Sequence, residues 1–437
     1  MDGRIRAEWD PLEKIVVHKP GIEMFYGLLE PYGSLYERAF SRDGARHEHD
    51  MLTRVLEKEF NVSVLKLKDA IVEGARKNPQ VKQKLIDKAR ETIEYSGNKE
   101  YVKLAQKEFE QNCKYYDILH FFYILLMDPL IQISKGTGTR NVALNVIQRQ
   151  PLANLYFMRD QQFVTDQGIV ICRMAKPARR RETEVTKFLW EEVLGLPILH
   201  EMEAPATIEG GEFLPMGDFA LVGIGDRTNQ AAIDQLLKLP LGYKEIGVVH
   251  QPLHPLIPSS KPDPMINMHL DTYFNVDGKD VVVGSELLLK QAKVDVYHNE
   301  GEGVFVKDPT EKNLYEYIWD MGFDVINITT LEQMSYASNF LCLHDKEILA
   351  VDVQPITREV LKNLKRSAQK NPSKYKKLLE QAEKDFIQLS RTGNFFPHKK
   401  EIYRNGITPR PLSLRNLTGG YGAAHCMTCA LSRGFTK

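Results

Sequence analysis

"GGEFLPMGDFALVGIG" (210–225) begins with polar residues, runs through an apolar segment to Gly217-Asp218, and continues as a second apolar segment. Short apolar segments on either side of a Gly/Asp turn are typical of a β-hairpin. The same pattern, with a phenylalanine shortly before a turn rich in Asp, Gly or His, occurs three more times. These segments are "RDQQFVTDQGIVICRM" (159–174), "HLDTYFNVDGKDVVVGS" (269–285) and "ASNFLCLHDKEILAVD" (337–352).

Amphipathic helical patterns follow three of these hairpins, in "PARRRETEVTKFLW" (177–190), "DRTNQAAIDQLLK" (226–238) and "PITREVLKNL" (355–364). A strand–turn–strand–helix unit therefore recurs about every 50–70 residues, and self-similarity of this kind is typical of an array or a closed ring. "EKIVVHKPG" (13–21) and "NVSVLKL" (61–67), together with the C-terminal loop, are expected to complete the ring as a fifth unit. The fold class predicted is α/β.

Two stretches interrupt the repeat. Residues 68–150 are rich in Lys, Glu and Gln and carry apolar residues at helical spacing, which predicts an inserted helical subdomain. Residues 366–405 show the same pattern and predict a second helical insertion, whose charged face is expected to be solvated. The catalytic α/β domain would then consist of residues 1–67 and 151–437.

Composition excludes several classes of protein. The chain has 437 residues and a formal net charge of zero, so neither nucleic acid nor an anionic membrane is favoured as a partner. The longest apolar run, "ILHFFYILLM" (118–127), is too short to cross a bilayer as a helix. The N-terminus carries no apolar signal segment, and five cysteines in a chain of this length do not form a disulfide framework. These features predict a protein of the reducing cytoplasm.

The polar residues that open the hairpins are the candidate functional residues. In a ring of equivalent units, equivalent positions lie at equal distances from the axis, so these side chains would face one another across a central cavity. A cysteine, histidines and several carboxylates in one cavity suggest nucleophilic attack on a cationic substrate. The candidates are Asp160, Glu209, Glu212, His269, Asp271, Asn339, His425 and Cys426.

The glycine-rich C-terminal stretch "GGYGAAHCMTCAL" (419–431) admits other interpretations. Cys426 and Cys429, with His425, could belong to a zinc site or form a redox pair. Structural zinc usually has four ligands, and no second pair of cysteines with suitable spacing occurs in the chain. Cys429 is expected to be a buried small residue.

Two further motifs are expected to be structural. "HEHD" (47–50) could suggest a metal site, but His47 and His49 are two residues apart and would point to different faces of a helix. "GTGTR" (136–140) lacks the Lys-Ser/Thr of a phosphate-binding loop, so nucleotide binding is not expected.

Six motifs in this order resemble the arginine deiminases, which belong to the guanidino-group-modifying superfamily. The resemblance extends over nearly the whole chain and includes "VHKPG" (17–21), "HEHD" and the helical insertion. It implies the five-bladed pseudo-symmetric α/β-propeller known as the pentein fold. The six motifs are "NLYFMRD" (154–160), "PARRRET" (177–183), "IEGGE" (208–212), "GIGDRT" (223–228), "MHLDTYF" (268–274) and "HCMTC" (425–429).

The resemblance assigns five catalytic residues. It implies that Cys426 is the nucleophile that attacks the guanidinium carbon of arginine. Asp160 and Asp271 would hold the guanidinium nitrogens, which carboxylates match in a bidentate manner. His269 would be the general acid and base, held in position by Glu209. Loss of ammonia would leave a covalent thiouronium on the cysteine, and water would then release citrulline, with no metal or organic cofactor.

The resemblance also implies four substrate-binding residues: Arg179 and Arg227 for the substrate carboxylate, and Asn154 and Phe157 at the amino-acid end of the pocket. The resemblance further implies a homo-oligomer that acts on free L-arginine. An amidinotransferase with an amine as acceptor, a dihydrolase that carries arginine on to ornithine, and a non-catalytic arginine-binding protein remain as alternatives.

Two positions depart from the family pattern. Tyr421 stands where bacterial relatives have an arginine that holds or gates the amino-acid end of the substrate, and Glu212 stands where the family has an aspartate. The choice among arginine, agmatine and modified arginines is therefore open, although two candidate arginines for the carboxylate favour arginine over agmatine.

Overall fold

A computed structural model describes residues 3–136, 142–263, 266–301 and 303–434. The strands are β1 (Leu12–Val17), β2 (Ser63–Lys66), β3 (Glu94–Gly97), β4 (Pro129–Lys135), β5 (Val142–Gln148), β6 (Gln162–Val164), β7 (Ile169–Ile171), β8 (Ile198–Glu201), β9 (Phe213–Met216), β10 (Phe219–Ile224), β11 (Glu245–His250), β12 (Phe274–Val276), β13 (Val281–Gly284), β14 (Lys293–Asn299), β15 (Phe305–Lys307), β16 (Lys312–Asn313), β17 (Asp324–Asn327), β18 (Leu341–His344), β19 (Glu347–Val351), β20 (Thr408–Leu412) and β21 (Cys429–Arg433).

The helices are α1 (Ile22–Leu29), α2 (Arg42–Lys58), α3 (Leu67–Lys77), α4 (Pro79–Thr92), α5 (Lys99–Asn112), α6 (Ile118–Met127), α7 (Glu182–Phe188), α8 (Gln230–Leu236), α9 (Glu286–Leu289), α10 (Leu314–Asp320), α11 (Thr330–Met334), α12 (Val353–Lys370), α13 (Pro372–Thr392) and α14 (Lys400–Arg404). No helix among the described residues is both long and apolar enough to cross a membrane.

Five sheets repeat one arrangement of strands. In each sheet an antiparallel pair is followed by a third strand that runs parallel to the second. The sheets are β6–β7–β8, β9–β10–β11, β12–β13–β17, β18–β19–β20 and β21–β1–β2. All four hairpins predicted from the sequence are confirmed, and the predicted fifth unit joins the two ends of the chain.

The hairpin of β9 and β10 shows why these turns form. Phe219 pairs with Met216, so only Gly217 and Asp218 lie between the strands. Gly217 has φ of 80°, a left-handed conformation that glycine adopts without steric cost. The same sheet is widened by β14, which runs antiparallel to β11 and carries β15 and β16 on its far side.

Helices connect the second and third strands of the units and cover the sheets. α12 begins after Asp352, whose side chain accepts a hydrogen bond from the Gln354 N–H at 3.3 Å. Its buried residues recur at helical spacing, from Ile356 through Val360 to Leu364, and pack into the largest apolar core of the chain.

Residues 68–150 are not purely helical. α3, α4 and α6 have buried apolar faces, as the sequence predicted, but the segment also contains the sheet β3–β4–β5. β4 and β5 contain short apolar runs, which periodicity alone does not distinguish from helix, and β3 has too few apolar residues to indicate a strand. Apart from Gly136, the "GTGTR" motif lies outside the described residues.

The second insertion begins inside a helix. Residue 366 falls in α12, so the connecting helix of the fourth unit continues into the predicted insertion. Asn371 caps α13 with its side chain, Pro372 occupies the first turn, and Gly393 ends the helix at φ of 65°. Local capping residues therefore determine the length of α13.

Candidate active site

A small cavity brings together most of the predicted site residues. Four of the polar residues concerned lie just before the first strand of a repeated unit: Asp160 before β6, Asp271 before β12, Asn339 before β18 and Cys426 before β21. The cavity is lined by Asn154, Phe157, Asp160, Arg179, Arg227, His269 and Cys426, together with Leu35, Met268, Gly420 and Tyr421. The other two predicted residues, Asp271 and Glu209, lie directly behind this wall in contact with Cys426 and His269.

Cys426 is held by two side chains. Its Sγ accepts a hydrogen bond from Asn339 Nδ2 at 3.0 Å and lies 3.5 Å from Asp271 Oδ2. Asn339 Oδ1 in turn accepts the backbone N–H groups of Ala423 at 2.7 Å and Cys426 at 3.2 Å, which fixes the loop that presents the sulfur. Burial, reinforced by the carboxylates of Asp271 and Asp160, raises the pKa of the Cys426 thiol well above its usual range. The free site therefore favours the neutral thiol.

His269 lies between two carboxylates. Its Nε2 is 2.9 Å from Glu209 Oε2, and its Nδ1 is 3.8 Å from Asp160 Oδ1. Burial disfavours the charged imidazole, but Asp160 and Glu209 outweigh it and raise the pKa of His269 to about 9. Burial likewise opposes ionisation of Glu209, yet His269 and Arg227 lower its pKa to about 2. At neutral pH the pair is an imidazolium and a carboxylate, so His269 carries a proton that it can donate.

Asp271 belongs to a buried chain of charges that runs away from the cavity. Its Oδ2 is 2.8 Å from His425 Nδ1, and His425 Nε2 is 3.6 Å from Glu8 Oε1. Glu8 is bonded on its other side to Arg433 at 2.8 Å and also pairs with Arg159. Burial opposes ionisation of Asp271, but its hydrogen bond with His425 holds its pKa below the usual range. Asp271 is therefore an ionised carboxylate beside the sulfur.

Sequence reasoning missed Glu8 and Arg433 as members of this network. They lie near opposite ends of the chain and carry no motif, so no local signal marked them. Arg159, next to Asp160 in the chain, pairs with Glu8, and Asp160 pairs with Arg179.

The two candidate arginines differ in how many of their guanidinium donors already make hydrogen bonds. Arg179 Nη1 donates to Asp160 Oδ2 at 2.8 Å, and its Nη2 donates to Glu182 Oε2 at 2.8 Å. Arg227 is 3% exposed, and its Nη1, 3.9 Å from Glu209 Oε1, has no hydrogen-bond partner within the described chain. Arg227 is thus the guanidinium with donors to spare, whereas Arg179 is bonded to two carboxylates.

Glycines allow the reacting groups to approach one another. A Cβ on Gly211 would lie 2.7 Å from His269 Nδ1, and a Cβ on Gly422 would lie 2.8 Å from the Cβ of Cys426. Real side chains do not make such short contacts, so both positions exclude any larger residue unless the catalytic groups move. The two glycines explain why the predicted motifs carry Gly-Gly and a glycine-rich loop.

Glu212 lies beneath the site and not in the cavity. Its Oε2 accepts the Leu270 N–H at 2.8 Å, next to His269 in the chain, while its Oε1 has no partner in the described structure. Burial, with help from Asp271 and Glu209, raises the pKa of Glu212 to about 7 even though His269 opposes this. Glu212 supports the backbone that presents His269.

Tyr421 separates the cavity from a larger one. It has φ of 73°, a left-handed conformation that is uncommon outside glycine. The catalytic cavity measures about 20 Å³, room for a single water molecule and not for an amino acid. Tyr421 and Met268 also line a neighbouring cavity of about 390 Å³, which α12 walls on the other side. Entry of a substrate therefore requires this shared wall to move.

The metal and redox interpretations can be compared with the geometry. Asp160, Glu209 and His269 each offer a ligand atom within 4.8 Å of the others. However, His269 turns Nε2 to Glu209 and Nδ1 to Asp160, opposite edges of one ring, whereas a single ion takes one of these nitrogens. Cys426 and Cys429 are both free thiols, and Cys429 is buried in β21. The arrangement suits proton transfer better than metal binding.

The "HEHD" motif supports the loop that precedes the nucleophile. Glu48 accepts the backbone N–H groups of Asn416 and Leu417, each at 2.9 Å, at the start of the turn that leads into the glycine-rich loop. His49 is buried, and burial lowers its pKa to about 3. The motif is structural at Glu48, as expected.

Known proteins resemble this chain along most of its length. A family model described as "Arginine deiminase" matches residues 33–433. The arginine deiminase of Halobacterium salinarum is 26% identical and covers 98% of this chain and 96% of the relative. The arginine deiminase of Staphylococcus aureus strain JH9 is 25% identical and covers 82% of this chain and 90% of the relative.

A solved structure gives independent evidence on the fold. SxtG, an amidinotransferase from Microseira wollei in the saxitoxin biosynthetic pathway, superimposes with a TM-score of 0.52 over 99% of this chain and 98% of its own, at 13% identity. At this identity the likeness shows the fold alone. The shared fold is mixed α/β, in agreement with the predicted fold class.

Proposed function

The chain belongs to the arginine deiminase family, and we propose that it hydrolyses free L-arginine to L-citrulline and ammonia. The observation that supports this reaction best is the meeting of Cys426 with Asp271, Asp160 and His269 at one buried cavity. A thiol, two carboxylates and a protonated imidazole suit a flat cation whose central carbon must be attacked.

The first half of the proposed reaction forms a bond to sulfur. Asp160 Oδ1 and Asp271 Oδ1 have no hydrogen-bond partner in the described structure, so each can accept an N–H of the substrate guanidinium. The cation offsets the two carboxylates that keep Cys426 protonated, so substrate binding itself favours the thiolate. As the substrate binds, the Cys426 thiol releases its proton to solvent. The thiolate attacks the guanidinium carbon, His269 donates its proton to the leaving nitrogen, and ammonia departs to leave the thiouronium.

The second half breaks that bond. After it has donated its proton, His269 is neutral and can take a proton from a water molecule that attacks the thiouronium carbon. Cys426 leaves as the thiolate, the remaining hydroxyl proton of the intermediate restores the thiol, and citrulline is released. Glu209 holds the imidazole in one orientation through both halves.

The arginine whose hydrogen-bond donors lack partners indicates where the amino-acid end of the substrate binds. We propose that Arg227, whose Nη1 is unpartnered, binds the substrate carboxylate, while Arg179 chiefly aligns Asp160. Asn154 and Phe157 complete this end of the cavity, and Tyr421 replaces the charge of the family arginine with a phenol. The binding of the carboxylate should therefore depend more on Arg227 than on Arg179.

The architecture around the site is part of the proposal. We infer that the five sheets of common topology form a five-bladed α/β-propeller of residues 1–67 and 151–437, with 68–150 and 366–405 as insertions. The shared strand order and the origin of the site residues at equivalent hairpin ends support this division. A homo-oligomer and a cytoplasmic location remain predictions from the sequence.

Product analysis tests the proposed reaction. We expect reduced protein mixed with arginine to release citrulline and ammonia in equal amounts, and Cys426→Ser to lose this activity while Cys429→Ser retains it. Rapid quenching followed by mass spectrometry should detect a covalent adduct on Cys426. Ornithine in place of citrulline would indicate a dihydrolase, guanidinoacetate formed with added glycine would indicate an amidinotransferase, and full turnover by Cys426→Ser would refute the mechanism.

A further inference from the structure

A second cavity, of about 250 Å³, lies where the chain leaves β1 and enters α1. It shares no lining residue with the catalytic cavity. Four cationic side chains line it against a single carboxylate, that of Glu23. The cations are Lys19, Arg42, Arg46 and Lys68.

Two buried polar residues in its wall lack partners for one atom each. His18 is 2% exposed and Glu23 is 1% exposed, and they contact each other through His18 Nε2 and Glu23 Oε1 at 3.2 Å. In the described chain His18 Nδ1 and Glu23 Oε2 have no hydrogen-bond partner. A buried polar atom without a partner destabilises the fold, so such atoms usually meet a ligand or water.

The first turn of α1 adds to the site. Gly21, at its N-cap, offers no side-chain cap, and Gly21, Ile22 and Glu23 all line the cavity. The free N–H groups and positive end of a helix dipole favour an anion at this position. Glu23 Oε1 accepts the Gly21 N–H at 2.6 Å and so occupies only one of these donors.

The four cationic side chains make only weak contacts that a bound ligand can replace. Arg42 and Arg46 are four residues apart on α2 and therefore share one face. Arg46 Nη1 donates to the Pro20 carbonyl. The other three pair with exposed carboxylates: Lys19 with Asp50 at 2.6 Å, Arg42 with Asp43 at 3.5 Å and Lys68 with Asp69 at 3.8 Å. Exposed ion pairs of this kind contribute little to stability, so an oxyanion inside the cavity can replace them.

We propose that this cavity binds a small oxyanion that also carries a hydrogen-bond donor, such as hydrogen phosphate or the carboxylate end of an amino acid. The oxyanion is held by Arg42, Arg46 and the N-terminal turn of α1, because guanidinium groups match its oxygens in a bidentate manner. The donor group of the ligand reaches Glu23 Oε2, which explains why a carboxylate lies among four cations.

Titration calorimetry tests the site without reference to arginine turnover, so its failure and that of the proposed deiminase reaction are distinguishable. Inorganic phosphate, glycine and acetate are titrated separately into the full chain. We expect phosphate or glycine to bind, and whichever binds identifies the source of the oxyanion. Acetate, which lacks a donor, should bind at least about tenfold more weakly, a difference of about 1.4 kcal/mol.

Variants on α2 locate the binding. Arg42→Gln combined with Arg46→Gln should weaken binding by at least about tenfold, while Arg54→Gln, at an exposed position of the same helix outside the cavity, should leave it unchanged. Lys68→Gln alone serves as a second variant if the double variant does not fold. No binding of phosphate or glycine at about 10 mM, or equal binding by wild type and cavity variants, would overturn the proposal.

Discussion

Replacing Glu212 by glutamine should make the protein more stable at alkaline pH and leave its stability at acid pH nearly unchanged. Glu212 is 2% exposed, and burial raises its pKa from 4.5 to about 7. An unfolded chain releases this proton near pH 4.5, whereas the folded chain retains it until about pH 7. Because the unfolded state binds fewer protons in this interval, wild-type stability falls as pH rises through it.

The magnitude follows from the same two pKa values. Each pH unit between them corresponds to about 1.4 kcal/mol, so ionisation of Glu212 removes about 3 kcal/mol of stability by pH 8. Glutamine does not ionise, and its Oε1 can still accept the Leu270 N–H. The variant should therefore match wild type within about 1 kcal/mol at pH 4 and exceed it by about 3 kcal/mol at pH 8.

Urea unfolding at a series of pH values measures this difference directly. Glu191→Gln, at an exposed carboxylate, is the matched control and should give no pH-dependent difference from wild type. Comparison with wild type at each pH cancels the contributions of titrating groups that do not interact with Glu212. An unfolding free-energy difference for Glu212→Gln that stays constant from pH 4 to pH 8 would refute the reasoning.

Three further changes test other parts of the structure. Asn339→Ala removes a hydrogen bond to the nucleophilic sulfur, and a bond of this kind to a charged partner contributes about 1.5–3 kcal/mol. The value of kcat/KM for arginine should therefore fall about 10- to 150-fold. Thiol titration should show that the sulfur of Cys426 is still present. Glu209→Gln removes a carboxylate that raises the pKa of His269, so the alkaline limb of the kcat/KM profile should move to lower pH; an unmoved limb contradicts the assignment. Lys399→Met removes the cation 2.9 Å from Glu332 and leaves that carboxylate buried and unpaired. The free energy of unfolding measured in urea should fall by about 3–5 kcal/mol. Addition of Glu332→Gln should recover most of this loss.

The hairpins and the candidate site were predictable because their signals are local. A turn such as Gly217-Asp218 and the apolar runs beside it depend only on near neighbours in the chain. Equivalent units then placed Asp160, Asp271 and Cys426 before equivalent strands, and the structure brings all three to one cavity or its wall. Assignment of individual roles to them still came from the family resemblance and not from spacing.

Other features depend on contacts between distant segments, and sequence pattern did not reveal them. Periodicity did not reveal the short strands β3, β4 and β5, because the brief apolar runs of β4 and β5 fit either strand or helix and β3 has few apolar residues. Nothing local marked Glu8, which meets Arg433 across almost the whole length of the chain. Nor did the run of arginines at 179–181 show that Arg179 would be bonded to Asp160.

The sequence by itself determined which segments form hairpins, in what order they follow, and which polar residues stand at their ends. Only the tertiary structure decided which acid faces which base, how far the site is closed, and which arginine keeps unpartnered donors. The physical reason is that turn chemistry and apolar periodicity act between neighbouring residues, whereas the pairing and pKa of buried charges depend on groups that folding brings together from far apart.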